Sequence, residues 1–100
     1  MFSVIWKYKI NITNQVAFEA AYGPDGSWAA FFRTANSYRG SLLLNHTEEK
    51  TAYLLIDQWN SQKEYEAFLE EHGATYQKMS TGFEKLYLEE ERIGIFQTRE

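Results

Sequence analysis

Cysteine is absent from the 100-residue chain, which removes disulfides, thiol nucleophiles and cysteine-ligated zinc or iron–sulfur sites together. Histidine occurs only twice, at His46 and His72, with no H-x-x-H or H-E-x-x-H spacing, so no protein-made metal site is expected. Positive charge is also scarce. Ten Lys and Arg are scattered among fourteen Asp and Glu, for a net charge of -4, whereas phosphate binding needs clustered cations; nucleic acid is not an expected partner. No apolar run approaches the ~20 residues of a membrane span. Lys7 and Lys9 break the opening segment before it reaches signal-peptide length, so the expectation is a cytoplasmic protein with no membrane association. Sequons at Asn11 and Asn45 would matter only in a secretory compartment. Proline occurs once, as Pro24 in the stretch Tyr22-Gly-Pro-Asp-Gly-Ser-Trp28, between two segments that both read as helix.

What the chain has in plenty is aromatic side chains, 17% of its residues. At this length the expectation is one domain over residues 1–100, with a modest core. Such a core absorbs only part of that aromatic surplus, leaving a ligand-sized cavity or a subunit interface for the rest.

Phe2 to Ile12 alternates apolar even positions with Ser3, Lys7, Lys9 and Asn11, the pattern of a strand with one apolar face. Thr13 or Asn14 can cap a helix whose apolar positions are Val16, Ala17, Ala20 and Ala21. After the break a second half-helix places Trp28, Phe31, Phe32 and Ala35 at i, i+3, i+4 and i+7. Tyr38–His46 and Thr51–Trp59 read as two strands, apolar on both faces and joined by a polar hairpin. Ser61-Gln-Lys-Glu64 matches a capping box and opens a helix with Tyr65, Phe68, Leu69 and His72 on one stripe. Gly73 bends or ends that helix, and Tyr76, Met79 and Phe83 continue a stripe toward Gly82. Residues 83–96 supply the fourth strand, with Leu86 and Leu88 on one face and Glu89–Glu91 as a solvated strand end.

The resulting β-α-β-β-α-β order predicts an α+β ferredoxin-like fold, with a four-stranded antiparallel sheet carrying its helices on one face. The other face of that sheet would be a large apolar patch, which a homodimer covers.

The segment Ile56-Asp-Gln-Trp-Asn-Ser-Gln-Lys-Glu-Tyr-Glu-Ala-Phe-Leu-Glu-Glu-His72, together with Phe18 to Trp28, resembles the antibiotic biosynthesis monooxygenase domains of the dimeric α+β barrel superfamily. The likeness covers nearly the whole chain by order of elements. It implies a homodimeric barrel with a pocket between sheet and helices, and oxidation of a small aromatic, phenolic or quinol-type molecule by O₂ without metal or flavin. Trp59 matches the aromatic that such oxygenases place at the end of the third strand. The haem-degrading relatives need an asparagine, a tryptophan and a histidine where this chain has Lys7 and Lys9, Phe68, and Tyr76 with Lys78; that activity is not expected.

Within that frame the break acquires a role. Pro24 fixes φ and lacks an amide, Gly23 and Gly26 permit unusual dihedrals, and Asp25 or Ser27 can cap the second half-helix. The break either lets the helix follow a curved sheet or opens a mouth walled by Tyr22 and Trp28. Asp57 shares a strand face with Tyr53, Leu55 and Trp59, where a carboxylate needs a partner; Arg33, Arg39 and Arg92 are the guanidinium groups on offer. His72, near a helix C-terminus, and Asp57 are the candidate bases, with Arg33 to steady an oxyanion. Tyr8, Tyr22, Trp28, Phe32, Trp59 and Tyr76 are the candidate stacking surfaces. Two other readings stay open: isomerase-type activity on a small cyclic acid, and a non-catalytic small-molecule binding or stress-associated barrel.

Overall fold

Alternation along Phe2, Val4, Tyr8 and Ile10 drives the first strand to bury one face, and all four side chains are buried. In the computed structural model, which describes residues 1–99, the chain runs β1 (Phe2–Lys9), α1 (Gln15–Tyr22), α2 (Ser27–Phe32), β2 (Tyr38–Asn45), β3 (Ala52–Trp59), α3 (Gln62–Glu71), α4 (Gly73–Phe83) and β4 (Glu89–Gln97). The strands lie in the order β2-β3-β1-β4 with every pairing antiparallel. The ferredoxin-like α+β arrangement is therefore present, with each crossover helix divided in two.

Residues directly opposite across an antiparallel pair share a face, so the register sorts the side chains. Tyr8 with Tyr53, Trp6 with Leu55 and Val4 with Asp57 lie on the helix-covered face. Lys7 with Leu54 and Ile5 with Ile56 lie on the other, where Leu42, Leu44 and Leu54 are 52%, 47% and 38% exposed. The core is largely aromatic: Phe18 stacks on Tyr22 at 4.5 Å, and Trp59 meets Phe32, Tyr38, Tyr65 and Phe68 at 5.3–5.4 Å. Such pairs contribute about 0.5–1.5 kcal/mol each beyond their buried area.

Several boundaries differ from the sequence reading. β1 stops at Lys9; Ile10 still pairs its amide with the Thr51 carbonyl, and Ile12 stands exposed in a short 3₁₀ turn capped by the Asn11 side chain. Of the expected apolar positions α1 buries Ala21 alone, adding Phe18 and Tyr22, while Val16 is 85% exposed. The bulkier rings win the inward face because they bury more apolar area per residue. α2 ends at Phe32, before Ala35, and its N-cap is Gly26, with no side-chain cap from Asp25 or Ser27. Residues 84–86 form a second 3₁₀ turn, so β4 begins only at Glu89 and Leu88 is left exposed. The capping box is formed as read: Ser61 Oγ accepts from the Glu64 amide at 3.2 Å.

The glycine at the break has a steric cause. A Cβ on Gly26 would lie 2.5 Å from the Ala20 carbonyl oxygen and 2.8 Å from that of Ala21. Only glycine lets α2 start this close to the end of α1, which brings Trp28 to 6.3 Å from Tyr22.

Candidate active site

Between the sheet and the helices lies a cavity of about 40 Å³. The sheet supplies Trp6, Tyr8, Leu55, Asp57 and Glu90 to its wall, and the helices supply Tyr22, Trp28, Phe32, Tyr65, Tyr76 and Ser80. It has room for about one water molecule and is smaller than the ~150 Å³ space that takes up benzene. A larger apolar hollow of about 300 Å³ lies along Lys7, Leu44, Ala52 and Leu54, beside the β2–β3 hairpin. That hollow has His46 but no carboxylate in its wall, whereas the smaller one holds the buried Asp57.

Asp57 is the acid of the site. It is 6% exposed, placed on the helix-covered face by the β3 register. Ser41 Oγ donates to its Oδ1 at 2.5 Å, and among the described residues no arginine pairs with it. Burial without a cation pushes its carboxyl up to about 6, against the opposing effect of the Ser41 bond. Across the cavity the Tyr8 hydroxyl donates to Glu90 Oε2 at 2.7 Å. Desolvation holds Tyr8 and Tyr22 protonated far above their ordinary range, and pushes Tyr65 up to about 12. The Trp28 indole opposes the shift at Tyr22, while its own Nε1 is buried and reaches no partner in hydrogen-bond geometry.

The structure brings Asp57, Tyr8, Tyr22, Trp28, Phe32 and Tyr76 to one wall and keeps Arg33, His72 and Trp59 off it. Arg33 Nη2 donates to the Pro24 carbonyl at 2.6 Å and to Asp25 Oδ1 at 3.1 Å, bracing the break from outside. His72 sits at the α3–α4 junction, its ring 4.5 Å from Phe68 and 6.0 Å from Phe31. Trp59 is wholly buried in the core beneath α2 and α3, its Nε1 without a partner. Arg39, the remaining sequence candidate for pairing besides Arg92, donates to Asn60 Oδ1 at 2.7 Å instead.

Glu90, Tyr65, Trp6, Ser80 and Ser41 were not singled out by the sequence. Glu90 in particular reads as part of a solvated acidic run, yet it lies opposite Tyr8 in the β1–β4 register and accepts its hydroxyl. Alternation through Glu89-Glu90-Glu91 sets the middle residue on the face opposite its neighbours, but that this is the face of Tyr8 follows only from the β1–β4 register. Among the described residues no three His, Asp or Glu side chains gather as a metal site, and no helix is long and apolar enough to cross a membrane.

Neither a family model nor a curated protein sequence matches the chain. Solved structures do match. A provisionally named antibiotic biosynthesis monooxygenase from Bordetella bronchiseptica is 17% identical over 98% of this chain and 96% of that one, with a TM-score of 0.77. Another, from Nitrosomonas europaea, is 16% identical over 98% of both chains, with a TM-score of 0.72. SnoaB, a cofactor-independent oxygenase from Streptomyces nogalater, is 17% identical over 99% of this chain and 93% of that one, with a TM-score of 0.70. At these identities the likeness is one of architecture, and this chain has the ferredoxin-like α+β fold of the antibiotic biosynthesis monooxygenase structures.

Proposed function

We propose that the protein is a cofactor-independent monooxygenase acting on a small phenolic or quinol-type substrate in the cavity between sheet and helices. The observation that carries this reading is Asp57, a buried carboxylate with no arginine or lysine beside it among the described residues, set in an aromatic wall and pushed up to about 6 by its burial. A base with these properties removes a phenol proton at physiological pH and concentrates charge in the ring. The electron-rich phenolate reacts directly with O₂. One oxygen atom enters at a ring carbon, the other leaves as water with the proton returned from Asp57 and the hydrogen lost from that carbon, and a phenol becomes a quinone. The substrate supplies all the electrons, so the overall change needs no other reductant. Tyr8 of β1 and Glu90 of β4 flank the substrate beside Asp57 as a hydrogen-bonded pair, the tyrosine donating and the carboxylate accepting.

A ring does not fit the cavity as it stands, so α4 moves to admit it. No residue of α4, which carries Tyr76 and Ser80, is fully buried, and it lacks the strand ladder that ties Glu90 of β4 to β1. The same reading includes a homodimer formed through the open sheet face, where Leu42, Leu44 and Leu54 stand exposed.

Oxygen uptake measured with a panel of phenols and hydroquinones tests the proposal. At least one is expected to give turnover that falls 10²- to 10⁴-fold in Asp57→Asn. Full activity in that variant, or binding of these compounds with no uptake at all, overturns it; the second result leaves a small-molecule binding protein.

A further inference from the structure

A shift in the β2–β3 register connects Asp57 to a residue that no sequence signal marks. Tyr38 lies opposite Trp59 and Ser41 opposite Asp57, so Arg39 is an extra residue and the strand bulges beside Gly40. Gly40 takes φ of 110°, a conformation open to glycine, and nothing lies within 4 Å of where its Cβ would be. In a regular strand, residues three apart point to opposite faces. Here the bulge turns Tyr38 and Ser41 to the same face, and their hydroxyl oxygens are 2.5 Å apart.

Ser41 has one hydrogen, which it gives to Asp57 Oδ1, so Tyr38 is the donor in its bond with Ser41. Both hydroxyls therefore point toward the carboxylate. Oδ1 is occupied, while Oδ2 takes no hydrogen bond among the described residues. We propose that Ser41 is a positioning residue for Asp57, aimed by the Gly40 bulge and locked by Tyr38, that fixes Oδ2 as the oxygen presented to the cavity. The inference deepens the oxygenase reading and rests on it for the use made of Oδ2. The orientation and ionisation of Asp57 do not. The titratable groups that face Asp57 are Tyr8 from β1, Tyr38 from β2, Tyr65 from α3 and Tyr76 from α4, with Glu90 and Arg92 of β4 acting on those tyrosines; Arg33 acts on Tyr38. Ser41 is the side chain that touches the carboxylate, so it is the one whose loss acts directly.

The chain contains only two aspartates, Asp25 and Asp57. Selective ¹³C labelling of aspartate thus gives two carboxyl signals, and the Asp25 side chain, 93% exposed, is the internal control. The Asp57 midpoint is expected to move upward by about one pH unit or more in Ser41→Ala, because the lost bond favours the charged form. It is expected to stay in place in Ser41→Thr, and to rise by a smaller amount in Tyr38→Phe. An Asp57 midpoint unmoved in folded Ser41→Ala overturns the inference; should that variant fail to fold, an unmoved midpoint in Tyr38→Phe does the same. These titrations need no substrate. If the midpoint moves as expected while wild type consumes no oxygen, the positioning role stands and the oxygenase reading fails.

Discussion

Asp57→Asn is expected to make the protein more stable at neutral pH and no more stable in acid. Burial raises the Asp57 carboxyl from its ordinary 3.8 to about 6. The folded protein therefore holds this proton to higher pH than the unfolded chain does. Below about pH 4 both states are protonated and the burial of the acid carries no ionisation cost. Between about pH 4 and 6 stability falls as pH rises, and above 6 the full cost of a buried, unpaired charge is present. At 1.36 kcal/mol per pH unit that cost is about 3 kcal/mol. Asparagine keeps the shape and accepts the Ser41 hydroxyl while carrying no charge. Urea denaturation of both proteins at pH 7.5 and pH 4, at one fixed protein concentration, measures the difference. The expected gain is about 3 kcal/mol at the higher pH, or a melting temperature raised by roughly 10 °C or more, and close to nothing at the lower. Every other titrating group is common to the two proteins and cancels. A variant that is no more stable at pH 7.5, or whose gain persists at pH 4, would refute the reasoning. On the oxygenase proposal, the stability withheld at Asp57 is a trade between folding and activity.

Gly26→Ala is expected to cost about 1–3 kcal/mol, because its Cβ meets two backbone carbonyls of α1 that cannot swing aside; chemical denaturation measures it, and an unchanged midpoint would mean the turn is not close-packed. Tyr8→Phe is expected to lose about 1–2 kcal/mol, the Glu90 carboxylate recovering water at its exposed end once the bond is gone. Leu54→Asp on the open sheet face is expected to leave the fold intact, seen by far-UV circular dichroism, and to convert a sedimenting dimer into a monomer; a wild type that sediments as a monomer at micromolar concentration would remove the dimer.

Features legible from sequence were those with a local cause. The even positions of β1, the apolar run of β3 and the box at Ser61–Glu64 each carry their period or cap within a few residues, and each is found in place. Positions of β-strand ends and helix faces were less legible, because Val16 and Phe18 compete for the same inward direction and only the sheet beneath decides between them. For the cavity wall, Tyr22 and Trp28 could be guessed from the break itself. Glu90 could not, since its partner Tyr8 is 82 residues away and the pairing depends on the β1–β4 register. His72 has the chemistry of a base, but whether the end of α3 points into a cavity or past it is a matter of helix direction, which no residue type encodes. The bulge at Gly40 is of the same kind: one surplus residue between two strands, visible only once both are paired.

The uneven placement of the three tryptophans makes the molecule its own optical reporter. Trp6 and Trp28 stand in the cavity wall, while Trp59 is sealed in the core with no access to it. If the cavity widens to take an electron-accepting ring, as the oxygenase reading requires, that ring lies against two of the three fluorophores and not against the third. On the oxygenase reading, a quinone held in the cavity quenches Trp6 and Trp28 by contact and reaches Trp59 only through the intervening ring of Phe32, so the three fluorophores stand at graded distances from the same occupant.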